Sequence, residues 1–466
     1  MKAERSDAFV FFGITGDLAF KKIFPALQAM VRRGHLAMPV IGVARSRWDL
    51  AQFKARAKAS IEAHGDFDPV VFEKLSALLR YVEGDYTDAS TFVALREALG
   101  DAMRPLFYLA IPPSMFVAVA NHLAASGCAK NARIVVEKPF GRDLASAQAL
   151  NRTLLEHFPE SSIFRIDHFL GKEPVQNLVY FRFANPLVEA GWNHEWIESV
   201  QITMAESFGI EGRGRFFEEA GAIRDVLQNH LLQVLACLGM ECPCRKDDEA
   251  IRDERARLLK DVRTLEAADV VRGQFRGYRR EPGVALDSQV ETFVAAQFHI
   301  DNARWAGVPF FIRAGKRLPV TITEVLVKFK CPTPATLNFY LAPPANHYRF
   351  RINPEVVLAI GAKVKKPGEL LVGEAIELLA HHQSQDVMSA YERLIGDAVI
   401  GDTALFARQD AVETSWRIVD QVLGNAAHLY EYEPGTWGPR EAMTQCGPEG
   451  GWHDPRPDFT HLPGAM

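Results

Sequence analysis

The chain has 466 residues, and its 53 Lys and Arg residues against 58 Asp and Glu residues give a formal net charge of −5. This mildly negative net charge does not favour nucleic acid or an anionic membrane as a binding partner. Apolar residues make up 48% and charged residues 24%, as in ordinary globular proteins.

Six cysteines lack the spacing of zinc ligands or of a disulfide framework, so we expect no metal site and a reducing compartment. The N-terminus has no apolar leader, and no apolar run reaches membrane-spanning length. The sequence therefore predicts a cytoplasmic enzyme that is not embedded in a membrane.

The first part of the chain alternates short apolar runs with helical patterns. Predicted strands lie at 9–12, 40–43, 80–82, 106–111, 133–136 and 163–166. Such alternation is typical of a parallel sheet covered by helices on both faces. It predicts an α/β domain over residues 1–170.

The pattern then changes to strands with few helices between them. Predicted strands lie at 199–205, 294–300, 310–313, 325–329, 337–340, 348–352 and 356–360, and predicted helices at about 222–238, 250–268 and 386–426. This predicts a larger α+β domain over residues 171–466, with a mostly antiparallel sheet. The last 30 residues are rich in Gly and Pro and are expected to wrap the surface as ordered coil.

A glycine motif, Gly13-Ile-Thr-Gly-Asp-Leu-Ala19, joins the first predicted strand to a helix. In Rossmann-type domains such glycines let the backbone approach a pyrophosphate, whose charge the helix N-terminus binds. The motif favours a dinucleotide site, although an ordinary strand-to-helix turn would look similar.

The second strand ends in Ala44-Arg45-Ser46-Arg47, where NAD-binding domains usually place an acid for the ribose hydroxyls. Arginine suits a 2′-phosphate through its charge and its fork of donors. We therefore expect NADP as coenzyme, with NAD possible as a second one. The alternative is that both arginines are solvated loop charges.

Three further segments are dense in polar side chains. Lys138 follows the fifth strand, and Asp167, His168 and Lys172 follow the sixth; ligands of open α/β sheets bind at this strand edge. A third segment places Asp225 and His230 on one helix, about 140° apart if that helix is α-helical. Each residue alone has an ordinary structural explanation, but the set together indicates an active site.

These residues resemble the glucose-6-phosphate dehydrogenase family over nearly the whole chain. The matching segments are 13–19, 137–141, 165–173 (RIDHFLGKE), 209–213, 224–233 (RDVLQNHLLQ), 308–316 and 432–439. The resemblance implies a Rossmann-type domain followed by a larger β+α domain, with the active site between them. It also implies association into a homodimer or homotetramer.

The resemblance also implies roles for individual residues. His230 would be the base that takes the proton from the C1 hydroxyl of the sugar, and Asp167 would orient it, while hydride passes from C1 to the nicotinamide. The expected substrate contacts are His168, Lys172, Glu206, Asp225, Lys316 and Lys138. The expected coenzyme contacts are Gly13, Thr15, Gly16, Asp17, Leu18, Lys22, Arg45, Asp85, Tyr86 and Lys138.

The chain departs from the family pattern at the substrate phosphate. Phe169 stands where most members have a tyrosine whose hydroxyl donates to the phosphate, and Thr321 stands where many have a basic residue. We expect C1 oxidation to be retained with weaker phosphate affinity, which Arg317 could offset. The alternatives are a sugar dehydrogenase with another group at C6, and a non-catalytic sensor of NADP and sugar phosphate.

Overall fold

The structure is a computed structural model that describes residues 4–331, 346–368, 373–381 and 388–457. The described chain packs into two compact units, the first from residues 4–173, 243–256 and 388–413 and the second from the rest. Two segments from later in the sequence thus belong to the first unit. The division into functional domains 1–170 and 171–466 stays a prediction.

The first 173 residues alternate strands and helices as expected. The elements are β1 (Ala8–Phe12), α1 (Phe24–Arg32), β2 (Val40–Ala44), α2 (Leu50–His64), α3 (Pro69–Leu78), β3 (Leu79–Glu83), α4 (Ala89–Leu99), β4 (Pro105–Leu109), α5 (Phe116–Ala125), β5 (Arg133–Glu137), α6 (Leu144–His157) and β6 (Ile163–Ile166). Four of these helices begin at an aspartate whose carboxylate accepts an N–H of the first turn: Asp49, Asp68, Asp88 and Asp143.

The six strands form a parallel sheet in the order β3-β2-β1-β4-β5-β6. Every residue of β1, β2 and β4 is buried, because helices cover both faces. The strand order reverses between β1 and β4, and ligands of doubly wound sheets bind at such a point. The predicted Rossmann-type domain is therefore confirmed.

The remaining elements follow in chain order. They are α7 (Glu173–Phe183), α8 (Pro186–Ala190), β7 (Ile197–Ala205), α9 (Gly214–Ala222), a π-helix (Ile223–Leu231), α10 (Leu232–Gly239), α11 (Asp248–Asp261), β8 (Val270–Phe275), β9 (Phe293–Phe298), β10 (Phe310–Gly315), β11 (Ile322–Phe329), β12 (His347–Asn353), β13 (Val357–Lys365), β14 (Gly373–His381), α12 (Ala390–Ile400), α13 (Gln409–Val419), β15 (Leu429–Tyr432) and α14 (Glu441–Thr444). The strand predicted at 337–340 lies outside the described residues.

In the described part of the second unit, nine strands form one sheet in the order β14-β13-β12-β11-β7-β10-β9-β8-β15. Neighbouring strands are antiparallel except for the pairs β10–β7 and β15–β8. The prediction of a mostly antiparallel sheet is confirmed. No described helix is both long enough and apolar enough to cross a bilayer.

A buried ion-pair network links the middle of this sheet to the C-terminal tail. Glu324 on β11 accepts hydrogen bonds from Arg349 at 3.2 Å and Arg351 at 2.8 Å, both on β12. His453 Nε2 lies 2.7 Å from the other oxygen of the same carboxylate. The network thus holds part of the Gly/Pro-rich tail on the sheet.

We expect Glu324→Gln to lower the free energy of unfolding of the protein by about 3 kcal/mol, because Arg351 would remain buried beside a neutral group while Arg349 keeps its pair with Glu377. The thermal midpoint of unfolding would report the loss. Glu374→Gln removes the same charge from an exposed position on β14 and is the matched control. Equal thermal midpoints for Glu324→Gln and Glu374→Gln would contradict the stabilising role assigned to Glu324.

Candidate active site

The glycine loop after β1 has a backbone that only glycine can adopt at its first position. Gly13 has a φ of +85°, and a Cβ there would lie 2.1 Å from the carbonyl oxygen of Ala110. The amide of Gly16 donates to the carbonyl of Gly13 at 2.9 Å, which closes the turn. The turn itself therefore requires glycine at position 13, as expected for the first glycine of a Rossmann-type loop.

The other predicted residues of this loop lie between β1 and the first helix. Thr15 and Leu18 are partly buried, whereas Gly16 and Asp17 are exposed. Asp17 forms an exposed ion pair with Lys21 at 3.1 Å. Lys22 lies on the π-helical turn Ala19–Ile23 that follows and is exposed.

Tyr86 was expected to touch the coenzyme, but its hydroxyl makes contacts inside the protein. It accepts the amide N–H of Gly13 at 3.0 Å and donates to the carbonyl of Val43 at 3.1 Å. Burial raises the pKa of Tyr86, so the phenol stays neutral and can make both bonds. Tyr86 therefore joins the glycine loop to the end of β2.

Arg45 and Asp85 follow adjacent strands and lie beside each other. Arg45 Nη1 is 3.5 Å from Asp85 Oδ2, and both side chains are substantially exposed. Hydrogen bonds from the backbone and side chain of Thr87 lower the pKa of Asp85, and Arg45 adds to this. The structure thus brings these two predicted coenzyme residues together at the strand edge.

A buried carboxyl precedes Lys138 at the end of β5. Glu137 accepts a hydrogen bond from the hydroxyl of Tyr108 at 2.5 Å. Burial raises the pKa of Glu137 to about 7, against the lowering effects of Tyr108 and Lys138. Lys138 is partly buried, and the peptide bond from Lys138 to Pro139 is cis.

The segment after β6 forms a compact turn around Asp167. This residue is 2% exposed, and its Oδ1 accepts the amide N–H of Phe169 at 3.0 Å. The ring of Phe169 packs edge-on against His168, and Lys172 Nζ lies 3.8 Å from the centre of the Phe169 ring. Phe169 thus holds the ammonium of Lys172 by a cation–π contact.

Helix α12 packs against this segment, a contact that the sequence does not predict. The ring of Tyr391 is nearly parallel to that of His168, with 6.3 Å between the centroids. Arg393 donates to Glu173 at 2.7 Å, and a Cβ at Gly171 would meet Leu394 at 2.8 Å. No local sequence signal pairs residues this far apart in the chain.

The second unit contains the other predicted substrate residues. Lys316, just after β10, forms an ion pair with Glu206, just after β7, and its ammonium is 3.8 Å from Asp225. The three side chains are 12%, 19% and 16% exposed, respectively. Because β7 and β10 are parallel neighbours, Glu206 and Lys316 leave the sheet at the same edge.

His230 is 1% exposed and lies on the π-helix Ile223–Leu231, together with Asp225. In a π-helix each N–H bonds the carbonyl five residues earlier, so residues five apart lie near one face. The side chain of Asn229 also donates to the carbonyl of Arg224, five residues earlier, at 2.9 Å. The angular separation of 140°, which holds for an α-helix, therefore does not apply to Asp225 and His230.

Thr321 and Arg317, which the sequence relates to the expected substrate-phosphate site, both contact other protein residues. Thr321 Oγ1 accepts the amide N–H of Ser207 at 3.0 Å and lies 2.7 Å from the hydroxyl of that residue. Arg317 is 42% exposed, with its guanidinium 3.8 Å from Glu281. Neither contact by itself indicates a phosphate ligand.

Comparison with known proteins identifies both parts of the chain. Residues 10–177 match the family model "Glucose-6-phosphate dehydrogenase, NAD binding domain", and residues 179–453 match the C-terminal domain of the same family. Glucose-6-phosphate 1-dehydrogenase 1 of Mycobacterium bovis is 42% identical over 456 residues, 97% of each chain. The Saccharomyces cerevisiae glucose-6-phosphate 1-dehydrogenase is 37% identical and covers 94% of this chain and 93% of its own.

Solved structures agree with the sequence comparisons. A glucose-6-phosphate 1-dehydrogenase from Mycobacterium avium superimposes with a TM-score of 0.90 at 43% identity, covering 97% of this chain and 99% of its own. A glucose-6-phosphate dehydrogenase in complex with glucose 6-phosphate superimposes with a TM-score of 0.88 at 34% identity, covering 98% of this chain and 100% of its own.

We expect Tyr86→Phe to weaken binding of a pyrophosphate-containing nucleotide about fivefold, since one hydrogen bond contributes roughly 1 kcal/mol. Isothermal titration with ADP-ribose would measure this. Tyr180→Phe removes a hydroxyl from an exposed ring on α7 and serves as control. An affinity equal to that of the control variant would show that the loop does not need the Tyr86 hydroxyl.

Proposed function

The chain belongs to the glucose-6-phosphate dehydrogenase family, from which we infer that it oxidises glucose 6-phosphate at C1 to the lactone. Both family domains are present in order, and relatives of that name match nearly the full length. One observation within this chain carries the proposal: Lys316 pairs with Glu206 and lies near Asp225, and Asp225 shares a π-helix with the buried His230.

A nicotinamide coenzyme fits the first unit. The glycine loop makes a tight turn, in which a side chain at position 13 would collide with Ala110, at the reversal point of a parallel sheet. We propose NADP, because Arg45 and Arg47 follow β2 and can bind a 2′-phosphate. The bound nicotinamide supplies the acceptor for the hydride that leaves C1.

We assign the proton transfer to His230. Its imidazole accepts the proton of the C1 hydroxyl as the C1–H bond breaks, and the C1–O bond becomes a carbonyl. Histidine suits this role because its ordinary pKa lies close to neutral pH. Asp167 orients the imidazole and stabilises its cationic form, by the usual pairing of a base with a carboxylate.

We propose the substrate contacts from the charges of the side chains. His168, Lys172 and Lys138 are proposed to face the phosphate and the sugar ring from the first unit. Glu206 and Asp225 are proposed to accept hydrogen bonds from sugar hydroxyls, for which carboxylates are strong acceptors. Homo-oligomer formation and a cytoplasmic location remain predictions.

We expect His230→Asn to lower kcat by about two to four orders of magnitude, because the variant lacks a general base. Near-ultraviolet absorbance of the reduced nicotinamide would measure turnover, and calorimetric titration would measure retained glucose 6-phosphate binding. His35→Asn, on the surface of the first unit, is the control. A His230→Asn variant with the rate of that control would refute the base assignment.

A sugar dehydrogenase with a different preference at C6 is the second candidate, favoured by Phe169 and Thr321. Phe169 offers the substrate phosphate no hydroxyl, and the Thr321 hydroxyl bonds Ser207. A panel of hexose 6-phosphates, unphosphorylated hexoses and hexuronic acids would distinguish the candidates. Under the first proposal, glucose 6-phosphate has the highest kcat/KM in that panel.

We expect Phe169→Tyr to lower the KM for glucose 6-phosphate by about one to two orders of magnitude with kcat nearly unchanged, since a hydrogen bond to a charged group contributes roughly 1.5–3 kcal/mol. The ring that holds Lys172 is retained. Free glucose is the internal control, because it lacks the phosphate and should show no gain. An unchanged KM, or an equal gain with glucose, would contradict the assigned role.

A further inference from the structure

Two acids from a neighbouring strand lie beside the arginine loop that is proposed to bind the adenosine phosphate. Arg45 and Arg47 follow β2, while Glu83 ends β3 and Asp85 comes two residues later. The two strands are parallel neighbours, with Ala44 paired with Glu83 in the register. The arginines and the acids therefore leave the sheet side by side.

Each arginine lies near one carboxylate. The distance between Arg45 Nη1 and Asp85 Oδ2 is 3.5 Å, and that between Arg47 Nε and Glu83 Oε1 is 3.8 Å. The Arg47 and Glu83 side chains are 92% and 51% exposed. Ion pairs this exposed contribute little to stability, so they do not explain why the acids are here.

Other contacts hold this loop in place. The hydroxyl of Tyr81 donates to the carbonyl of Ser46 at 2.6 Å, and the amide of Trp48 donates to the same carbonyl at 2.8 Å. The side chain of Glu83 can therefore be changed without removing these anchors. Its effect on a ligand is then mainly electrostatic.

The two arginines of this loop and the two carboxylates beside them carry charges that sum to zero. A 2′-phosphate gains from the arginines but is repelled by the acids, whereas the ribose hydroxyls of NAD carry no charge to be repelled. We propose that Glu83 is a determinant of coenzyme selectivity, because its carboxylate beside Arg47 reduces the preference for NADP and permits use of NAD. This inference rests on the proposed function, whose coenzyme site it refines.

Adenosine 2′,5′-bisphosphate and AMP test the proposal without turnover, since they differ only in the 2′-phosphate. We expect Glu83→Gln to raise affinity for the bisphosphate about three- to tenfold by calorimetric titration, with AMP affinity changed less than about twofold. Because the repulsion is screened by salt, the gain should shrink at high ionic strength. Glu73→Gln, on the exposed face of α3, removes an equal charge and should leave both affinities unchanged.

A second variant tests the same electrostatics in the opposite direction. Arg47→Gln should weaken bisphosphate binding by a similar factor while leaving AMP binding unchanged. The proposal is overturned if Glu83→Gln leaves the bisphosphate-to-AMP affinity ratio at the wild-type value. It is also overturned if Glu73→Gln raises the ratio equally, since the effect would then be one of net charge.

Steady-state assays with glucose 6-phosphate connect the binding result to catalysis. The ratio of kcat/KM for NADP to that for NAD should rise in Glu83→Gln by the same factor as the affinity ratio, and an unchanged ratio would overturn the proposal. Absence of oxidation with either coenzyme in the wild-type protein would refute the proposed function. The nucleotide titrations would still decide the role of Glu83 in that case.

Discussion

The parallel direction of six strands is the constraint on which the chemistry of the first unit depends. Parallel strands all end at the same edge, so residues far apart in sequence become neighbours without any local signal between them. Gly13, Arg45, Asp85, Lys138 and Asp167 each follow a strand of this sheet. The sheet therefore presents the glycine loop, an arginine, a lysine and two carboxylates at one edge.

Three tyrosines that are partly or fully buried hold several of these loops against their neighbours. Tyr86 joins the glycine loop to β2, Tyr81 holds the carbonyl of Ser46, and Tyr108 donates to Glu137. Burial raises the pKa of all three hydroxyls, so each stays neutral and can donate. A charged residue in any of these positions would carry a desolvation cost, which a neutral tyrosine hydroxyl avoids.

The sequence could predict the fold because its strands are apolar runs bounded by turns, and could predict the loop at Gly13 because its backbone requirement is local. It could not predict that Tyr391 lies beside His168, since their packing depends on where α12 docks. Nor could it predict the relation of Asp225 to His230, since apolar periodicity does not distinguish a π-helix from an α-helix. Strands β8, β14 and β15 were missed because their patterns are short or mixed.

Two acids of the second unit, Glu206 and Asp225, share a single cation. Glu206 and Asp225 lie close enough to one ammonium, that of Lys316, to repel each other if it were removed. The lysine therefore holds the two carboxylates together, and its carbonyl accepts a hydrogen bond from the hydroxyl of Tyr432 at 2.6 Å. Since that ammonium is shared by two carboxylates, the role that we propose for Lys316 is to position Glu206 and Asp225 rather than to bind a ligand by itself.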